Sequence, residues 1–182
     1  MQELLDLIKT RRSIRSFKDV PIEKEKIDAI LTAALMAPSS RGRRPWEFIA
    51  VTDRELLALL SACRGGSSAF VAGAALAIII VGDPEICDVW VEDCSIASIL
   101  MQLTAHSLGL GSCWIQVRER SRKEMEPAED FIKQALEIPE HMHVECMIAL
   151  GVPDEQRSPY EEGSLPYDKL HRETFDCSYF PQ

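Results

Sequence analysis

The chain has 182 residues, 46% apolar and 27% charged, enough to bury a sizeable core, and it reads as one domain over residues 1–182. Its 29 acidic and 20 basic side chains leave a net charge of -9. That balance excludes general nucleic-acid binding, because duplex affinity rests on neutralising many phosphates with basic side chains.

Leu4, Leu5, Leu7 and Ile8 mark the apolar face of a short first helix. It ends at residues 11–17, Arg-Arg-Ser-Ile-Arg-Ser-Phe, which gather three guanidinium groups and two hydroxyls. Arginine's planar fork of donors and a short serine hydroxyl suit a phosphorylated ligand. A solvated basic turn is the plainer reading of so short a run, and only the rest of the chain favours the first.

Pro21 opens a second helix, with Ile27, Ile30, Leu31, Ala34 and Leu35 at helical spacing, and it stops at Pro38. Residues 37–51, Ala-Pro-Ser-Ser-Arg-Gly-Arg-Arg-Pro-Trp-Glu-Phe-Ile-Ala-Val, then join a helix end to a strand. Ser39 and Ser40 free polar groups in that loop, and Gly42 permits close approach of a flat ligand. The strand spans 46–52, Asp53 caps a helix over 54–63, and 65–68 is a loop.

Residues 76–81 are apolar without alternation, the pattern of a strand buried on both faces. From about 89 to 108 the spacing of Ile96, Ile99, Leu100 and Leu103 predicts the long central helix, stopped by Gly109 and Gly111. Leu-Gly-Leu-Gly-Ser-Cys-Trp-Ile-Gln, residues 108–116, follows it directly and starts a strand at Cys113. A helix over 127–136 and a strand over 144–150 complete a mixed order that means α+β. Residues 152–182 are polar and interrupted by Pro153, Pro159, Gly163 and Pro166, so they cannot form a core of their own. They are either disordered or wrapped on another surface; the aromatic anchors Tyr167, Phe175, Tyr179 and Phe180 favour wrapping, and a partner subunit is a natural surface for such an arm.

The six cysteines show no Cys-x-x-Cys pair and no zinc or iron–sulfur spacing, and His106, His141, His143 and His171 lack ligand spacing. Cys113 has no histidine set beside it by sequence and reads as buried filler, not a nucleophile. Met-Gln-Glu-Leu-Leu-Asp lacks the basic start and apolar core of a signal peptide, which predicts a cytoplasmic protein.

Taken in order, the stretches at 11–17, 37–51 and 108–116 resemble the flavin-dependent nitroreductase family, in which Arg-x-Ser-x-(Lys/Arg) precedes Pro-Ser-Ser-x-Asn-x-Gln-Pro-Trp. Its short-chain members also carry Gly-Leu-Gly-Ser-Cys-Trp-Ile. The resemblance extends through Gly151 to Leu-Pro-Tyr-Asp-Lys-Leu-His at 165–171. It implies a three-layer α/β/α fold with a mixed, mainly antiparallel sheet, in an arm-exchanged homodimer holding flavin mononucleotide (FMN) at the subunit interface.

By the same resemblance, Arg11 and Ser13 hold the FMN phosphate, Arg12 lies near phosphate or ring, and Arg15 lies beside the pyrimidine edge. Pro38, Ser39, Ser40 and Gly42 match the loop that reaches the flavin from the other subunit. Trp114 and Ile115 match a strand whose backbone passes near the ring, and Arg157 is the best counterpart of a C-terminal basic pair. Gly42 stands where the family often has asparagine, and Arg43-Arg44 replace a small polar residue and glutamine, adding positive charge near the substrate side. The implied activity is ping-pong transfer of electrons from NADH or NADPH to a small acceptor such as a nitroaromatic, quinone or enone. The alternatives are a non-catalytic FMN storage or sensor protein and an interaction module for an acidic partner.

Overall fold

The computed structural model describes residues 2–180. In chain order the elements are α1 (Gln2–Thr10), α2 (Lys24–Leu35), β1 (Trp46–Val51), α3 (Arg54–Leu60), β2 (Cys63–Gly66) and β3 (Leu76–Gly82). They continue with α4 (Trp90–Ser107), β4 (Gly111–Gln116), β5 (Ser121–Lys123), β6 (Glu126–Pro127), α5 (Ala128–Leu136), β7 (His143–Gly151), β8 (His171–Arg172) and β9 (Thr174–Ser178).

The central sheet runs β1-β3-β7-β4, and its three pairings are antiparallel. Among the described residues, the parallel part of the expected mixed sheet is a single bridge between Ser13 and Ser112. Side chains alternate across each strand. Leu76, Ile78 and Ile80 of β3 therefore pack with Ile30, Ala34, Ala97 and Met101 of α2 and α4. Ala77, Ile79 and Val81 pack on the other side with Leu57, Leu60 and Ile132 of α3 and α5. Helices on both faces give three layers, which is why every residue of β3 is buried.

Asp53 caps α3 as expected, its Oδ1 accepting from Leu56 N–H at 2.9 Å. Other boundaries moved for physical reasons. α2 begins at Lys24, three residues after Pro21, behind an N-cap Glu23 whose side chain makes no capping bond. The expected loop at 65–68 overlaps extended β2. Ser68 Oγ accepts from Arg64 N–H at 3.0 Å and donates to the Ser61 carbonyl at 2.7 Å, tying the turn shut. The segment past Gly151 contains the β8–β9 hairpin, yet its residues from 156 to 180 are all exposed.

Candidate functional site

After α1 the chain runs extended beside β4. Ile14 N–H donates to the Ser112 carbonyl at 3.0 Å, Phe17 bridges Pro153, and Lys18 N–H donates to the Val152 carbonyl at 2.8 Å. Two glycines make this approach possible. A β-carbon on Gly111 would lie 2.8 Å from Ile14 Cγ2, and one on Gly151 would lie 2.8 Å from the Phe17 ring. Gly111→Ala should therefore lift the segment from β4 and cost about 1–3 kcal/mol, read as a lower urea midpoint. An unchanged midpoint would show that Ile14 turns aside freely.

The extended backbone sorts the basic cluster by alternation. Ile14 points into the core, whereas Arg11, Ser13 and Arg15 gather around Cys113. Burial pushes the Cys113 thiol up, against the opposing influence of Arg15, a Ser13 hydrogen bond and Arg11, so it is a poor nucleophile. Arg12 turns toward the C-terminal segment, donating to the Ser158 carbonyl and standing 4.7 Å from the centre of the Tyr160 ring. Arg12, Ser13, Arg15, Arg157 and Tyr160 line one polar cavity of about 230 Å³.

Glu155 organises this cavity, and nothing in its local sequence marked it. Its Oε1 accepts from the backbone N–H of Arg15 at 2.6 Å and of Ser16 at 3.2 Å, while Oε2 pairs with Arg157 at 2.6 Å. The bond from the Arg15 amide, foremost, holds the carboxyl below its ordinary range. One carboxylate thus fixes Arg157 to the backbone that carries Arg15. Close by, Thr10 Oγ1 meets His106 Nε2 at 2.9 Å, and burial with the nearby Arg11 charge lowers the His106 pKa.

β4 is an edge strand. In the Ser112–Leu150 pair the carbonyls point outward, Ser112 toward Ile14 and Leu150 toward Ala75. Alternation then turns the Trp114 N–H to the open edge and the Ile115 N–H toward β7. Ile115 is buried in the α5-side core, and Trp114 is half-buried, with its indole N–H on Gln116 Oε1 at 3.0 Å. The two residues that the sequence pairs therefore differ in what they offer.

Residues 38–44 lie elsewhere. Ser40 N–H donates to Asp93 Oδ1 at 2.9 Å, in the first turn of α4, and Ser39 Oγ accepts from Arg44 N–H at 2.9 Å. Asp93 is buried, and its Oδ2 has no partner among the described residues. The Arg11 cluster sits by His106 at the other end of α4. The 13 residues from Asp93 to His106 correspond to about 20 Å of helix. One chain thus brings Arg12, Ser13, Arg15 and Arg157 to one cavity, with Arg11 and Arg15 by Cys113 of β4, and holds Pro38, Ser39, Ser40 and Gly42 well apart from them.

A sequence model described as the Nitroreductase family matches residues 8–67 and 57–152, from the last turn of α1 to the end of β7. The chain belongs to the nitroreductase family. Within this family it is similar to the solved FMN-dependent nitroreductase from Clostridium difficile R20291, with 50% identity and a TM-score of 0.92 over 94% of this chain and 99% of that one. A protein of Archaeoglobus fulgidus, provisionally named NADH dehydrogenase/NAD(P)H nitroreductase, is 38% identical over 95% of this chain and 99% of its own. A Methanothermobacter thermautotrophicus protein with the same provisional name is 39% identical over 94% of this chain and 87% of its own. The chain's helices and antiparallel sheet make it a nitroreductase-like fold of the α+β class.

Proposed function

We propose that this nitroreductase-family chain is an FMN-dependent oxidoreductase, taking electrons from NADH or NADPH and passing them, by ping-pong chemistry, to a small organic acceptor such as a nitroaromatic, quinone or enone. The observation that carries the reading is the cavity where Arg12, Ser13, Arg15 and Arg157 converge beside the open edge of β4. The donor set fits FMN: guanidinium forks and a hydroxyl suit a phosphate, and an outward strand amide suits a polar ring edge. Bound there, FMN would supply the two-electron chemistry that links a nicotinamide donor to the acceptor.

The protein's part is to bind and orient. Arg11 and Ser13 hold the phosphate, with Arg12 and Arg157 adding charge around it. Arg15 presents a cation to the pyrimidine edge, where it favours the electron-rich ring. The Trp114 amide orients the ring from the strand edge. Cys113 stays a packed thiol.

The same reading makes the protein a homodimer with two such sites at the interface. α4 leaves two large apolar side chains open, Ile96 at 39% and Ile99 at 41% exposure, as a helix awaiting a second surface would. Residues 152–182 serve as the arm that covers the partner, and the 38–44 loop completes the partner's site, which accounts for its separation from Arg11 in one chain. Six unpaired cysteines suit a reducing cytoplasm. Among the described residues no helix is long and apolar enough to cross a membrane.

The test is the visible spectrum of the purified protein followed by stopped-flow mixing with NADH and with NADPH. Oxidised-flavin bands that bleach on mixing are expected. A yellow protein that neither donor bleaches would be a flavin store, and a colourless one that takes up no FMN would end the flavoprotein reading.

A further inference from the structure

Arg54, Arg118, Arg122, Arg157 and Arg172 each pair with a carboxylate. The other eight of the thirteen arginines make no such pair among the described residues, and three of these, Arg41, Arg43 and Arg44, are gathered in one short loop. All three are exposed, and among the described residues none has a carboxylate partner. Arg43 is directed to the body of the protein, donating to the Ile86 carbonyl at 3.2 Å, which leaves Arg41 and Arg44 displayed.

The display stands on a fixed base. Asp93 anchors the Ser40 amide and Ser39 Oγ takes the Arg44 amide, both at 2.9 Å. Arg41 and Arg44 have φ of 53° and 51°, flanking Gly42 at 67°. Glycine or asparagine would hold the left-handed backbone with less strain, so the turn by itself does not call for arginine at either position. Like charges held this close in sequence repel one another, and an anion between them relieves the repulsion.

We propose that Arg41 and Arg44 make this loop a recognition element for an anionic group, phosphate or carboxylate, on a substrate of the flavin site. The loop's place at that site rests on the oxidoreductase reading above. Guanidinium forks match both kinds of anion, and the ping-pong cycle offers two sources: the 2′-phosphate of NADPH in the first half, or a charged acceptor in the second.

The test uses the FMN-loaded R41Q/R44Q enzyme, which keeps both β-carbons and hence the backbone strain, with R41K/R44K as the charge-retaining control. Reduction by NADPH and by NADH reads the first half-reaction; turnover of 4-nitrobenzoate and of 4-nitrobenzamide reads the second. The more anionic member of one pair should lose about tenfold in kcat/KM, the size that two exposed ion pairs supply, while its counterpart holds within about twofold. The lysine variant should retain most of the preference. In the wild-type enzyme, with no substitution at all, rising salt should erode the same preference. A loss confined to NADPH assigns the anion to the dinucleotide and a loss confined to nitrobenzoate assigns it to the acceptor; either supports the proposal. Equal changes within both pairs, or a preference indifferent to salt, in an enzyme that NADH still reduces would overturn the loop's role alone. A holoenzyme that neither nicotinamide reduces would overturn the oxidoreductase reading, and the proposal with it.

Discussion

Removing residues 160–182 should yield a colourless monomer. The cut spares Arg157, Glu155 and the Phe17–Pro153 bridge, so every residue that the cavity draws from this chain survives except Tyr160. What it removes is apolar surface that one chain leaves open: Phe175 is 81% exposed, Tyr179 53% and Phe180 50%. Within the chain this segment is held to the body by little more than the Tyr160 amide on the Lys9 carbonyl, the Lys9–Glu162 ion pair and the contact of Tyr160 with Arg12. An arm-exchanged interface of the obligate class buries on the order of 2,000 Å² or more, and losing one arm from each subunit removes a large share of it. Light scattering with absorbance detection reads mass and flavin together. A truncated monomer that still holds FMN tightly would show that one chain makes the whole site.

Arg11→Ala should cost FMN far more than it costs riboflavin. Arg11 is half-buried beside Cys113 and His106, and it is assigned to the phosphate, the group that riboflavin lacks. A charge-assisted contact of this kind is worth roughly 1.5–3 kcal/mol, which is about a 10- to 150-fold loss in FMN affinity. Fluorescence titration of the apoprotein with each ligand measures the difference. Equal losses for the two ligands would move Arg11 away from the phosphate.

Residue pattern alone determined much of this protein. The unbroken apolar run of β3 announced a strand covered on both faces, and the spacing of Ile96, Ile99, Leu100 and Leu103 announced α4. Asp53 announced its own helix start. These signals are legible because period and capping act between neighbours in the chain. Gly111 was read as a helix stop, and only packing gave it its second role, as the space into which Ile14 fits.

The tertiary structure decided what neighbours cannot. Glu155 reaches back 140 residues to the Arg15 amide, and Asp93 reaches 53 residues to Ser40, so neither carboxylate carries a local signature. Ser68 closes its turn through carbonyls that no propensity reveals. The opposite duties of the Trp114 and Ile115 amides follow from which strand lies on which side of β4, a fact of sheet order and not of residue type. The sequence alone thus determined the α+β class and where the basic clusters lie along the chain. Which of them face one cavity, and which stand a helix length away, was decided by long-range hydrogen bonds and packing, whose partners are set only when the chain has closed on itself.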